Sequence, residues 1–292
     1  MRSVSDVLAS ARAQWAVCGN VSAPPPHEMP VAPGPHCARS VNGDSPTVPV
    51  HSGALTPALQ AVSRIAIALG PLRPEIIFIG GAIASLLQTE QILPNIRPTK
   101  DVDGICASSS YVDYGRIQSK LRELGFRETM PTPRQARPHH AHRWDSPDGT
   151  WFDLVPSGAH LGGTGSSTDA FAIASALELE LSPDIVIRHA SAVGFLALKC
   201  AAYGDRGNAD PFMSEDLEDI IALVASRATI VDELSMIPFE IRDTIAHQVR
   251  EILANQDSAE LILAHLGQPL NGAAAVARVV TSRLEMMGRQ AP

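Results

Sequence analysis

Ile76-Ile77-Phe78-Ile79-Gly80-Gly81, with Arg97-Pro98-Thr99-Lys100-Asp101-Val102-Asp103 after it, decides the fold. The first stretch reads as a short buried strand running into a glycine pair. The second reads as a strand that opens on Asp-x-Asp, with a helix between the two. Strand side chains alternate between faces, so Asp101 and Asp103 point the same way. Like charges that close repel, and a divalent cation is the usual reason to keep them together. Oxygen ligands at this spacing suit Mg²⁺, which typically combines one or two carboxylates with substrate phosphates. Gly80 and Gly81 let backbone N–H groups approach a phosphate, with the N-terminus of the next helix aimed at it.

A third carboxylate belongs with these two. His142–Asp145 and Thr150–Val155 read as strands joined by Ser146-Pro147-Asp148-Gly149, whose Pro-Asp-Gly is strong turn chemistry. Asp153 lies in the second strand, between apolar neighbours in Trp151-Phe152-Asp153-Leu154-Val155. Asp101, Asp103 and Asp153 on neighbouring strands form a ligand set for two metal ions. One ion would activate a hydroxyl, and the other would steady a triphosphate and its leaving pyrophosphate.

The surrounding pattern supports an α+β chain. Residues 1–54 form a Pro-rich tail, expected to be disordered, with Pro24-Pro25-Pro26 and five further prolines among Ser, Gly and Ala. A core is expected over residues 55–168. It begins at Thr56 as N-cap with Pro57 behind it, and Leu59, Val62, Ile65, Ala66 and Leu69 make one helical face. Strands Glu75–Ile79 and Asp101–Cys106 and helices Ala82–Leu87 and Tyr111–Leu124 follow. From about Ala170 the pattern turns helical, giving an all-helical region over 169–292.

Composition narrows the class. The 292 residues are 45% hydrophobic, and 23 basic against 31 acidic residues leave a formal charge of −8. Bulk charge therefore does not mark a nucleic-acid binder. No apolar run approaches a membrane span, and the N-terminus lacks an apolar signal core. Cys18, Cys37, Cys106 and Cys200 are too scattered for a disulfide framework. The expected location is the cytoplasm. Only three lysines occur, Lys100, Lys120 and Lys199, so a lysine marks a place where a compact ammonium suits better than a planar fork.

Gly80-Gly81, the Arg97-x-Thr99-x-Asp101-Val102-Asp103 run and Asp153 in an apolar strand together resemble the DNA polymerase beta-like nucleotidyltransferase superfamily. Within it, the chain resembles the AbiEii/AbiGii-type toxin branch. Phe195–Ala202 around Lys199, then Asp205-Arg206 and Glu215-Asp216-Leu217-Glu218-Asp219-Ile220, is similar to that branch's lysine helix and its Lys-Asp-Leu-x-Asp helix, with Glu215 where the branch has lysine. The resemblance implies a nucleotidyltransferase-like mixed sheet flanked by helices and followed by a helical C-terminal region. It also implies Mg²⁺, a nucleoside triphosphate (NTP) as co-substrate, and transfer of a nucleoside monophosphate (NMP) to an acceptor such as transfer RNA or a protein. A role in toxin–antitoxin or phage defence, with an antitoxin partner, follows from the same resemblance.

The residues carry their own readings beside it. Lys199 shares a helical face with Phe195, Leu196, Ala202 and Tyr203, where a bare ammonium is costly. A triphosphate would offset that cost; the alternative is a lysine snorkelling to water. Asp216 either positions the lysine, the base or a metal-bound water, or supplies favourable charge at a helix N-terminus. Asp219 reads as helix charge alone. Many superfamily members have Gly-Ser where this chain has Gly80-Gly81, so Ser85 is the candidate hydroxyl for a phosphate one turn later. Thr99 and Arg97 would orient Asp101, touch phosphate or cap the surface.

His139-His140-Ala141-His142 does not fit a helical zinc face and reads as local positive charge. With Arg116, Lys120, Arg122, Arg127, Arg134, Arg137 and Arg143 it makes the one basic segment of an acidic protein. That segment is expected to rim the active site and to contact an RNA backbone, or to be a solvated surface. Two other readings stand beside the leading one: an aminoglycoside-type nucleotidyltransferase, favoured by an acidic cleft with little basic rim, and a non-catalytic nucleotide-binding module.

Overall fold

The computed structural model describes residues 55–93, 99–108, 110–129, 142–206 and 210–290. The tail over 1–54, Arg97, Arg134, Arg137, His139 and His140 lie outside the described residues.

Helix α1, Pro57–Leu69, starts as the sequence requires: Leu59 N–H donates to Thr56 Oγ1 at 3.3 Å and Pro57 takes the first turn. Its apolar stripe, Leu59, Val62, Ile65, Ala66 and Leu69, is buried. A 3₁₀ turn over Gly70–Glu75 leads into β1, Ile76–Ile79, one residue later than expected. The next element is a correction. Gly81–Leu86 is a six-residue 3₁₀ helix rather than an α-helix, so the backbone donors after Gly80 come from a tight, short turn.

β2 (Asp101–Cys106), α2 (Tyr111–Glu123), β3 (Arg127–Glu128), β4 (His142–Asp145) and β5 (Trp151–Pro156) follow. β4 and β5 pair antiparallel as the Pro-Asp-Gly turn predicts, with Ser146 N–H donating to Thr150 O at 3.0 Å. β2 pairs antiparallel with β1 and parallel with β5.

The second correction falls after α3 (Ser167–Ala174). The chain does not turn all-helical there. β6 (Leu177–Ser182) and β7 (Ile185–His189) form a hairpin, and β7 joins β1 in parallel. The result is one seven-stranded mixed sheet, ordered β3-β4-β5-β2-β1-β7-β6, so the α+β reading holds.

The helical region is α4 (Ala192–Arg206), α5 (Glu215–Ser226), α6 (Ile230–Ser235), α7 (Phe239–Ala254), α8 (Ser258–Leu266) and α9 (Ala273–Gly288). Of these, α6 has no counterpart in the sequence reading. One apolar core runs from Val62 in α1 through the sheet to Met287 in α9. Among the described residues no helix is long and apolar enough to cross a membrane.

The period of two sorts the two sheet faces. Ile76, Phe78, Val102, Phe152, Leu154 and Trp144 are fully buried on one, and Gly104 lies between them. A Cβ there would come within 2.8 Å of Ile76 and 2.9 Å of Phe152. Asp101, Asp103, Asp153 and Arg143 take the opposite face.

Candidate active site

Strand register builds the site. Ile79 pairs with Asp103, Asp103 with Asp153, and Asp153 with Arg143. One row therefore crosses β1, β2, β5 and β4, and paired residues in a sheet share a face. Asp101 lies two residues before Asp103 on the same side. The three predicted carboxylates thus come together.

Gly80 closes the row at its β1 end. Its backbone, φ 73° and ψ −173°, lies in a region open essentially to glycine alone. A Cβ at this position would stand 2.0 Å from Asp103 Oδ2. The glycine is therefore needed twice over: for the turn, and for the space the Asp103 carboxylate fills. Gly81 is buried at the start of the 3₁₀ turn. Ser85 Oγ, in that turn, is buried with no hydrogen-bond partner. Thr99 Oγ1 donates to Asp101 Oδ1 at 3.1 Å.

Charge is crowded here. Burial, and then the Asp101 and Asp153 carboxylates, push the Asp103 carboxyl up to about 7, against the pull of Lys199 and Arg143. Arg143 answers the other two carboxylates. Its Nε donates to Asp153 Oδ1 at 2.7 Å, and one terminal nitrogen reaches both Asp153 Oδ2 at 2.6 Å and Asp101 Oδ2 at 2.7 Å. The guanidinium also lies over the Trp151 ring, 5.0 Å from its centroid. The Asp153 bonds, outweighing burial, hold the Arg143 pKa above its ordinary value.

A second cluster comes from α4 and α5. Lys199 Nζ meets Asp219 Oδ2 at 2.6 Å and Asp216 Oδ1 at 3.1 Å, and lies 5.7 Å from the Phe195 ring centroid. The reading of Lys199 as an ammonium awaiting a phosphate is therefore corrected: two buried carboxylates already neutralise it. Burial pulls its pKa down, but Asp219, Asp216 and the more distant Asp103 more than offset that. Asp216 does position the lysine. It also takes a fork from Arg206, at 2.9 and 3.2 Å. Burial raises the Asp216 carboxyl, but Arg206 and Lys199 outweigh it and leave the carboxyl below its usual range.

Three residues make site contacts that the sequence reading did not assign. Asp219, read there as helix charge, makes the shorter contact to Lys199; its place three residues after Asp216, on the same helical face, was the available signal. Arg206 lies in the last turn of α4, on the side facing Asp216. Arg143 was seen only as rim charge, although a strand pairing with Asp153 places its side chain on the carboxylate face.

The donor set can be weighed against a divalent cation. Five carboxylates (Asp101, Asp103, Asp153, Asp216, Asp219) stand against three cations (Arg143, Lys199, Arg206), leaving negative charge uncompensated. Oxygen-only ligands suit Mg²⁺, so the chemistry fits. The present arrangement does not close: among the described residues no three His, Cys, Asp or Glu side chains are placed to hold one metal ion. Arg143 bridges two of the three carboxylates instead.

The basic segment is largely committed elsewhere. Arg116 and Lys120 pair with Glu75, and Arg122 with Glu128. Arg127 apart, the described arginines and lysine of the segment are thus paired with carboxylates.

No protein-family model matches the chain, and no curated protein does. Among solved structures, it is similar to an antigenic nucleotidyltransferase-like protein from Paracoccidioides brasiliensis, with 16% identity and a TM-score of 0.41 over 71% of this chain and 92% of that one.

Proposed function

We propose that this chain is a nucleotidyltransferase that moves an NMP from an NTP to an acceptor hydroxyl. One observation carries the reading: Asp101, Asp103 and Asp153 on one sheet face, beside a glycine turn that only glycine can make. Asp101 and Asp103 would bind the cation of the incoming nucleotide, with Asp153 completing the set. Mg²⁺, when bound, would supply charge neutralisation at the transferring phosphoryl group. Gly80 and Gly81 bring backbone close enough to receive the triphosphate. Asp153, directly opposite Asp103, is the candidate to take the acceptor's proton. Lys199, fixed by Asp216 and Asp219, pulls the Asp103 carboxyl down against the burial that raises it.

An RNA or protein acceptor, and a toxin role with an antitoxin partner, belong to this proposal through the sequence resemblance. One observation favours a small hydroxylated acceptor instead: Arg116, Lys120 and Arg122 are paired internally, and the site is acidic. The test supplies the protein with Mg²⁺ and each α-labelled NTP, adding in turn transfer RNA, protein extract and aminoglycosides. A D101A/D103A variant is the control. Label transferred by the wild type and lost in the control supports the reading, and the lane names the acceptor. No transfer in any lane, alongside retained NTP binding, would favour the binding module.

A further inference from the structure

We propose that Arg143 is the resident counter-cation of the carboxylate face, and that it must leave Asp101 and Asp153 before a divalent cation can bind there. The inference rests on the metal-dependent reading above and assigns this chain a built-in competitor for its own cofactor.

Four observations converge. Register fixes Arg143 opposite Asp153, so its side chain is delivered to the carboxylate row by the sheet itself. A single terminal nitrogen bridges Asp101 and Asp153, two of the three carboxylates that would otherwise share a cation. The bonds are short and charge-assisted, the strong kind. The group is nevertheless not locked in: the Arg143 side chain is 35% exposed, and the Trp151 ring beneath it is itself exposed. A guanidinium can turn outward while keeping an aromatic face to stack on.

Charge gives the exchange a direction. One guanidinium carries a single positive charge for three carboxylates and makes no bond to Asp103, whereas a divalent cation answers two charges from one point. The guanidinium bonds must break first, so the intrinsic affinity for the metal is lowered by the work of displacing Arg143. Tighter binding gained by removing Arg143 measures that work together with the repulsion its charge exerts on the metal.

The test measures Mn²⁺ binding to the full chain without nucleotide, by the loss of the free-ion electron paramagnetic resonance signal. Wild type, R143Q, R143K and R143Q/D103N are compared, with circular dichroism to confirm folding. R143Q should bind Mn²⁺ about tenfold more tightly than wild type, the change that about 1.4 kcal/mol makes. R143K should fall between them, because an ammonium cannot fork across two carboxylates, and it serves if R143Q folds poorly. R143Q/D103N should lose the gain. Melting temperature should rise with Mn²⁺ more in R143Q than in wild type. Equal, measurable affinity in wild type and R143Q would overturn the role of Arg143 and leave the metal site standing. No binding by either would overturn both.

Discussion

Replacing Gly80 by alanine should damage the protein through two separable effects, and a double-mutant cycle can isolate each. The first is backbone strain: φ 73° with ψ −173° costs a non-glycine residue about 1–3 kcal/mol. The second is contact with Asp103. The new Cβ would lie 2.0 Å from Oδ2 and 2.8 Å from Cγ, and must open to at least 3.0 Å. Turning the carboxylate away leaves Asp103 off its rotamer, at about 0.5–1.5 kcal/mol. G80A should therefore lose about 1.5–4.5 kcal/mol in all. D103A removes the obstructing atoms, so G80A in that background should cost only the backbone part. The coupling should be about 0.5–1.5 kcal/mol, with the double variant more stable than the sum of the singles. Urea unfolding followed by Trp144 and Trp151 fluorescence reads all four proteins. G80A as stable as wild type, or a coupling of zero, would refute the claim that Gly80 makes room for Asp103.

Other outcomes follow from the same geometry. K199M leaves Asp216 and Asp219 buried without their shared partner and should cost about 3–5 kcal/mol in urea unfolding; K199M/D219N should recover part of it. Asp216 is held below its usual range, so its contribution is present above the unfolded-state value and is lost as pH falls through the folded-state value. Acid unfolding of D216N should lack that component, and an acid midpoint identical to wild type would count against it. G104A places a methyl between Ile76 and Phe152 and should cost about 1–3 kcal/mol by overpacking. Because Gly104 faces away from the carboxylates, Mn²⁺ binding by folded G104A should match that of wild type.

Much of the site was legible because its signals are local. Asp101 and Asp103 share a face by strand alternation alone, Ser146–Gly149 announces a turn, and Thr56-Pro57 announces a helix start. What was missed depends on pairing across the sheet or between helices. Arg143 looks like one more basic residue until register sets it against Asp153. Lys199 looks unpartnered until α5 packs on α4. β6 is different: Leu177-Glu178-Leu179-Glu180-Leu181 alternates with a period of two, yet Leu and Glu are also good helix formers. Burial follows the alternation only in part: Leu181 is buried and Leu179 half-buried, but Leu177 is 48% exposed at the sheet's edge. Where an α-helix is expected after Gly81, the chain forms a six-residue 3₁₀ helix instead.

The position of β1 also dictates when this site can exist during synthesis. β1 is made early, but its partner on one side, β7, lies beyond residue 184. At about 5–20 residues per second, the ribosome needs several seconds to span that interval. Throughout it, Ile76–Ile79 offers an apolar, unpaired edge to any passing strand. The strand that leads into the Gly80-Gly81 turn is therefore also the one most in need of protection in the nascent chain. Ribosome-bound products ending before β7 should be the aggregation-prone ones.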